Sequence, residues 1–296
     1  MKALVTGGAG FIGSNLVDCL VERGHQVSVM DNESSEVHEQ FYWNKNAKNV
    51  NLDICEYNEG FLSWFRDIDV VFHLAAEARI QPSIKNPTVA VKTNTLGTCN
   101  VLQAAREQGV KRVVYSSTSS AYGFNPIPNK EDMPKDCLNP YSVSKTAGED
   151  LCSMYTKLFG LETITFRYFN VYGERQPIKG QYAPVIGIFQ KQNKEGKPLT
   201  IVPDGHQRRD FTHVSDVVEA NILAATKDLQ GSYGEIINIG TGENHSVLEV
   251  ASMLSDKTVF IEPRIGESKE TLADISKAKK ILGWEPKVKL EDWIKK

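Results

Sequence analysis

Cysteine is scarce in this chain of 296 residues: Cys19, Cys55, Cys99, Cys137 and Cys152 form an odd set with no C-x-x-C pair. Neither a disulfide framework nor a thiolate metal site is therefore expected. The six histidines are scattered and contain no H-E-x-x-H or related ligand spacing, so no metal is expected. No apolar run approaches the roughly 18 residues that a membrane span needs, and no basic-then-apolar leader precedes the opening "KALVTGG"; the chain reads as cytoplasmic. Blocks of like charge are missing too. With 34 basic against 37 acidic residues and a net charge of -3, neither nucleic acid nor a membrane is an expected partner, and a small ligand is. Repeats and low-complexity stretches are likewise lacking.

What remains is the composition of a soluble globular protein, 41% hydrophobic and 24% charged, long enough for one large domain or two linked ones. Apolar runs at 2–6, 26–31, 50–53, 69–75, 112–117 and 162–167 alternate with helical patterns at 12–23, 89–107 and 141–159. Continuous apolar strands between helices predict an α/β protein with a Rossmann-type doubly wound parallel sheet, buried on both faces. After about residue 170 the rhythm changes to a Gly/Pro-containing loop, a helix near 183–195, the strand "LTIV" and the strand-like "DFTHV". Helices near 214–226, 246–254 and 276–282 follow, with "IINIG" between the first two. The expected division is a dinucleotide-binding domain over 1–170 and, over 171–296, mainly a smaller substrate-binding lobe interleaved with the last sheet strands.

"LVTGGAGFIGS" places Gly7, Gly10 and Gly13 between a strand and a helix. Glycines there permit a tight turn and close backbone approach, and the helix start at Phe11 and Ile12 offers free N–H groups and a positive dipole end to a diphosphate. Asp31 ends the second strand, 18 residues past Gly13, and a carboxylate there accepts both ribose hydroxyls but repels a 2'-phosphate. NAD is thus expected rather than NADP, with Asn32 beside Asp31 and with Asp53 and Ile54 at the adenine.

"NPYSVSKTAGE" then opens a helix that carries Tyr141 and Lys145 at i and i+4, on one face. A phenol titrates near 10, and an adjacent ammonium favours its ionised form, which makes the pair a candidate general base. Between this helix and the glycine turn, "YSSTSSAYG" ends a strand with five hydroxyls in a row, Ser116 to Ser120.

Together with "HLAA" (73–76), "RYFNVYG" (167–173), "RRDFTHVSDVV" (208–218) and "PRIGE" (263–267), these motifs resemble, over essentially the whole chain, the nucleotide-sugar branch of the extended short-chain dehydrogenase/reductase family. The resemblance implies Thr118 at the 4-hydroxyl of the sugar, Tyr141 as acid/base, and Lys145 on the nicotinamide ribose while lowering the Tyr141 pKa. It places Leu74, Ala75, Ala76, Asn94, Ser116 and Tyr168 around the cofactor. For the sugar nucleotide it implies Asn170 and Arg209 at the diphosphate and Arg264 and Glu267 near the ribose and phosphate. Glu77, Arg79, Thr200, Ile201 and Thr271 are expected to line the same site. It also implies a homodimer through the two long helices.

Within that branch, relatives that dehydrate carry Asp-Glu where Ser119 and Ser120 stand, and decarboxylating ones keep a Glu at the second position. Both chemistries are disfavoured, although Glu77 in "HLAAEARIQPS" resembles the dehydratase pattern. What remains is 4-epimerisation of a UDP-hexose: the Tyr141 phenolate takes the 4-hydroxyl proton, partly through Thr118, while C4 passes hydride to NAD+. The keto sugar then rotates about its diphosphate and receives the hydride on its other face. Thr271, seven residues after Arg264, is small where bulk restricts the pocket, which favours UDP-GlcNAc/UDP-GalNAc over UDP-Glc/UDP-Gal. Val202, Pro203 and Glu174 depart from the usual residues, so the uracil base is inherited from the family. A uronic acid, its carboxylate on Arg79, and a non-catalytic NAD sensor stay open as alternatives.

Overall fold

The computed structural model describes residues 1–179 and 183–295; residues 180–182 of the loop expected after residue 170, and the final residue, lie outside the described residues. Seven parallel strands form the central sheet: β1 (Lys2–Thr6), β2 (Gln26–Asp31), β3 (Lys48–Asn51), β4 (Val70–His73), β5 (Arg112–Thr118), β6 (Glu162–Tyr168) and an edge strand, Glu235–Ile239. Their order, from that edge, is Glu235–Ile239, β6, β5, β4, β1, β2, β3. The strand order therefore reverses between β1 and β4, and doubly wound sheets bind their ligands at this point, outside the carboxyl ends of the strands.

The period-2 alternation of each strand divides its apolar residues between two cores. Ala3, Val5, Val70, Phe72 and Val114 pack with Leu16, Val17 and Leu20 of α1 (Phe11–Glu22) and with Val217 and Ala220 of the helix Val214–Thr226. Leu4, Val71, Val113 and Tyr115 face the opposite way, against Val101, Leu102 and Ala105 on one long helix and Cys152 and Tyr155 on another. These are the two buried faces expected from strands that read as continuous apolar runs.

A short helix α2 (Glu59–Ser63) precedes β4, and after β4 the short helices α3 (Ile80–Lys85) and α4 (Pro87–Val91) lead, through a π-helical turn at Lys92–Leu96, into α5 (Gly97–Glu107). The longest helix, α6 (Pro140–Phe159), starts where its sequence says it must. Asn139 accepts from Ser142 N at 2.8 Å, Ser142 Oγ accepts from Asn139 N in return, and Pro140 needs no donor. Gly160, in the left-handed region at φ +70°, ends it.

Beyond β6 a third cluster forms around Tyr172, Ile186, Phe189, Leu199, Ile201, Phe211 and Val250, with Leu290 and Ile294 of the helix Leu290–Ile294. Between the segments of this cluster the chain supplies the sheet's edge strand and returns to the first core with Ala278, Leu282 and Trp284. No described helix is long and apolar enough to cross a membrane.

Candidate active site

A cleft of about 490 Å³ runs over the carboxyl ends of the strands, from the glycine turn to Arg264. Gly7 (φ +69°) begins the turn, and a Cβ there would lie 2.6 Å from Ala75 N, so the loop after β4 can abut the turn only because the side chain is absent. A Cβ on Gly13 would meet Gly7 O at 2.1 Å, which fixes glycine there as well. Gly10 is different: its added Cβ meets no protein atom closer than 3.5 Å and its backbone suits any residue, yet it lines the cleft at the start of α1. Protein packing does not require a glycine at this position; a ligand approaching the backbone would.

Asp31 closes β2 beside it. Its carboxylate accepts from Ala9 N (3.1 Å) and Glu33 N (2.8 Å), and burial raises its pKa against those two hydrogen bonds. The carboxylate is thus held in one orientation at the cleft wall, as recognition of a ribose requires. Asn32 and Ile54 line the same end, whereas Asp53 does not reach it, because its carboxylate turns back to accept from Cys55 N.

At the middle of the cleft β5 delivers Ser116, Ser117 and Thr118, and the 3₁₀ turn after it Ser119 and Ser120, opposite the start of α6. Thr118 Oγ1 accepts from Ser120 N at 3.1 Å and so turns the chain into a 3₁₀ turn. Tyr141 N donates to Ser83 Oγ of α3, which pins the first turn of α6. Burial raises the Tyr141 phenol, while the Thr118 hydroxyl and the Arg79 charge lower it and Glu77 raises it. Lys145 sits one turn further on, 4.4 Å from the centroid of the Tyr115 ring, and burial pushes its pKa down to about 7. Arg79 is a positive charge that acts on the Tyr141 phenol, and Lys145 lines the same stretch of the cleft.

Behind the hydroxyls lies a buried ion pair that the sequence reading missed. Glu149, a further turn along α6, accepts from Arg167 Nε (2.8 Å) and Nη2 (2.7 Å) and from Ser117 Oγ (2.6 Å). The only sequence hint was the i, i+4 spacing of Lys145 and Glu149. His73 is a second such group, bridging Thr6 (2.7 Å) and Thr98 (2.9 Å); burial drives its pKa down to about 3 and keeps it neutral. Asn94, in the π-helical turn, does not line the cleft. It brackets the loop after β4, accepting from Glu77 N (2.8 Å) and donating to Glu77 O (3.0 Å) and Ser144 Oγ (2.9 Å).

The far end is built from loops. Asn170, at φ +27°, donates to Asp210 O (2.8 Å) and Thr271 Oγ1 (3.3 Å). Asp210 gathers N–H groups of Thr241, Gly242 and Ala273 onto its carboxylate. Arg209 spends donors on the carbonyls of Arg208, Ser268 and Lys269 and lies 3.8 Å from Glu267. Glu174, which replaces a usual Pro, accepts from Trp293 Nε1 (3.0 Å) and lies 3.3 Å from His213, so it ties the last helix to this end.

The cleft therefore brings together Gly7, Gly10, Phe11, Ile12, Gly13, Asp31, Asn32, Ile54, Leu74, Ala75, Ala76, Glu77, Arg79, Ser116, Thr118, Tyr141, Lys145, Tyr168, Asn170, Thr200, Arg209, Arg264, Glu267 and Thr271. Three expected residues lie off its wall. Asp53 and Asn94 are turned to local hydrogen bonds, and Ile201 is fully buried in the third core because alternation along its short strand sends Thr200 to the cleft instead.

Residues 3–240 match the family described as NAD dependent epimerase/dehydratase. The chain belongs to that family. Three solved structures of the epimerase/dehydratase family show how far the likeness reaches. A UDP-glucose 4-epimerase of Thermotoga maritima with UDP-glucose is 37% identical, covers 100% of this chain and 96% of its own, and has a TM-score of 0.93. A UDP-N-acetylglucosamine 4-epimerase of Methanobrevibacter ruminantium in complex with UDP-N-acetylmuramic acid is 31% identical, with 99% and 96% covered and a TM-score of 0.91. A UDP-glucuronic acid 4-epimerase of Bacillus cereus in complex with UDP-glucuronic acid and NAD is 35% identical, with 99% and 96% covered and a TM-score of 0.91.

The protein is thus an enzyme of the NAD-dependent UDP-sugar epimerase family, and its cofactor is NAD. The residues present fit that cofactor. Gly10 leaves open backbone at a helix N-terminus, and the fixed Asp31 carboxylate presents acceptors rather than the cation a 2'-phosphate would need.

Proposed function

We propose that this enzyme interconverts the C4 epimers of a UDP-hexose, with UDP-GlcNAc and UDP-GalNAc preferred over UDP-Glc and UDP-Gal. The observation that carries this reading is the end of β5, where Thr118, Ser119 and Ser120 present hydroxyls to the cleft and no carboxylate stands among them. Loss of the 6-hydroxyl needs an acid and a base at that spot; hydride removal and return at C4 need neither. NAD, when bound, supplies the hydride acceptor and donor. Tyr141, with Thr118 at hand, holds the proton of the 4-hydroxyl, and Arg79 favours the phenolate.

The sugar must then present its other face while its nucleotide stays fixed. Asn170, Arg209 and Arg264 are the residues assigned to that grip, and Glu267 and Thr271 stand beside them at the cleft wall. A small threonine at 271, its hydroxyl engaged by Asn170, supports room for a 2-acetamido group. Association as a homodimer through α5 and α6 belongs to the same proposal. Met154, Leu158 and Phe159 on α6 are exposed apolar side chains, whereas Cys152 packs inside the second core.

Incubation of the purified protein with UDP-Glc, UDP-GlcNAc and UDP-GlcA separately, with resolution of the 4-epimers, tests the proposal. Turnover of UDP-GlcNAc at the highest rate is expected. A 4-keto-6-deoxy product in place of an epimer, or turnover of the uronate alone, would overturn it.

A further inference from the structure

The helix Leu290–Ile294 supports the loop-built end of the cleft, although none of its residues lines the cleft. Leu290 and Ile294 bury their side chains in the third core, and Trp293 packs against the same cluster from a half-buried position. The run before the helix is fixed as well. The Asp216 carboxylate accepts from Lys287 N (3.1 Å) and Val288 N (3.0 Å), and its carbonyl accepts from Trp284 Nε1 (2.9 Å). The Trp293 indole is therefore delivered to one place.

What the indole touches there is a ladder too short to hold itself. The strands Val171–Tyr172 and Thr212–His213 pair in parallel over two residues each, and so small a ladder has no stability of its own. Trp293 lies across its far rung. Its ring centroid is 5.1 Å from that of Tyr172, at an interplanar angle of 68°, and 5.7 Å from that of His213, and these two residues are paired with each other. The indole N–H is donated to Glu174 (3.0 Å), whose other carboxylate oxygen lies 3.3 Å from His213. The near rung joins Val171 to Thr212, and Thr212 N donates there to Asn170 O at 3.4 Å. Asn170 sits at φ +27°, a value that a residue with a side chain keeps only where its surroundings hold it. The same helix also approaches Arg209: Glu291 lies 3.3 Å from His245, and His245 pairs with Arg209 across an antiparallel ladder.

We propose that Trp293 is a positioning residue for the sugar nucleotide, clamping the ladder of Val171–Tyr172 with Thr212–His213 so that Asn170 keeps its place at the cleft wall. The inference rests on the reading that Asn170 and Arg209 grip the diphosphate of the UDP-sugar. Its effect falls on binding and not on proton transfer, because Thr118 and Tyr141 stand on β5 and α6. A gripping amide displaced by a fraction of an ångström loses much of its hold, so a residue remote from the ligand can set the affinity.

Dissociation constants of UDP and NAD are measured by calorimetry on protein freed of copurifying nucleotide, for the parent, Trp293→Leu, Asn170→Ala, the double variant and Glu174→Gln. Trp293→Leu keeps apolar bulk on the third core and removes the indole edge and its N–H. UDP is expected to weaken by about tenfold and NAD by less than about twofold, which also reports an intact sheet. Glu174→Gln leaves an acceptor for the indole and should bind UDP as the parent does. Because Trp293 acts through Asn170, the double variant should bind UDP no more weakly than Asn170→Ala alone, whereas a general loosening would make the two losses add. Equal losses of NAD and UDP, or additive losses, would overturn the assignment. So would unchanged UDP affinity in Trp293→Leu beside a clear loss in Asn170→Ala, an outcome that leaves the Asn170 grip standing. Unchanged UDP affinity in Asn170→Ala would overturn the grip and the assignment together.

Discussion

The groups around Tyr141 and those around Arg209 line one cleft but are held in opposite ways. Near Tyr141 the proton-handling groups hang from the sheet or from a long helix, with Arg79 and Ser83 added from the start of the short helix α3. Thr118 ends β5, Lys145 and Glu149 lie one turn apart inside α6, and Glu149 is paired with Arg167 of β6 with no exposure to water. Near Arg209 the supports are a two-residue strand, Arg208–Arg209, and loops whose residues lean on one another: Asn170 on Asp210, Arg209 on the carbonyls of residues 268 and 269. On the proposed reading, the groups for proton and hydride transfer are built into regular elements, and the end assigned to gripping the nucleotide is assembled from loops that brace one another through hydrogen bonds.

The comparison can be broken at its sheet-built end first. Tyr141→Phe keeps the ring and removes the proton carrier; epimerisation measured by product separation is expected to fall by about a hundredfold to ten-thousandfold while NAD affinity is retained. Activity within a few-fold of the parent would remove Tyr141 from the chemistry. Arg167→Met leaves the Glu149 carboxylate buried without its guanidinium, and urea unfolding should show a loss of about 3–5 kcal/mol. The matching change at the loop-built end, Arg264→Ala, should raise the KM for the sugar nucleotide and cost clearly less stability than Arg167→Met, because it strands no fully buried carboxylate. If both variants lose stability equally, the contrast between the two ends is false.

Two smaller effects sharpen it. Thr271→Tyr fills the sugar side and should cost turnover of UDP-GlcNAc roughly tenfold or more relative to UDP-Glc; an unchanged ratio would defeat the pocket argument. His73 tests the sheet-built end by pH. Its folded pKa lies below that of a free imidazole, so the unfolded chain binds the extra proton first, and stability is present above about 6.5 and drains as pH falls towards 3. Urea midpoints at pH 7 and pH 5 should differ in that direction, and by less in His73→Asn.

Much of the sheet-built end was legible in the sequence because its groups ride on regular elements. The strands at 2–6 and 26–31 and the helix at 214–226 appear within the expected limits, and Tyr141 and Lys145 do share one helix. The third strand is displaced, running from Lys48 to Asn51 and not 50–53. It is a mostly exposed edge whose register is set by pairing with Ser28 to Asp31 and not by its own apolar pattern. The short pieces Val171–Tyr172, Thr258–Phe260 and Leu290–Ile294 were not foreseen, since two to five residues carry no period and exist through tertiary pairing and packing. At the site, motif spacing placed Gly10, Asp31 and Thr118 on the cleft. It could not tell that Asp53 turns back onto Cys55 N, that Ile201 faces the core, or that Arg167 answers Glu149 from another strand, because each depends on which way a side chain points.

The edge strand Glu235–Ile239 has a consequence for synthesis. It is the neighbour of β6, yet the ribosome delivers it only after the whole of Val171 to Thr226. Throughout that interval β6 offers a bare row of N–H and C=O groups flanked by Ile164 and Phe166, a template for pairing with any other nascent chain. Completion of the sheet is therefore a late event in the life of each molecule. A chain that stops short of residue 235 can carry every group assigned to NAD and to proton transfer and still be destined for aggregation.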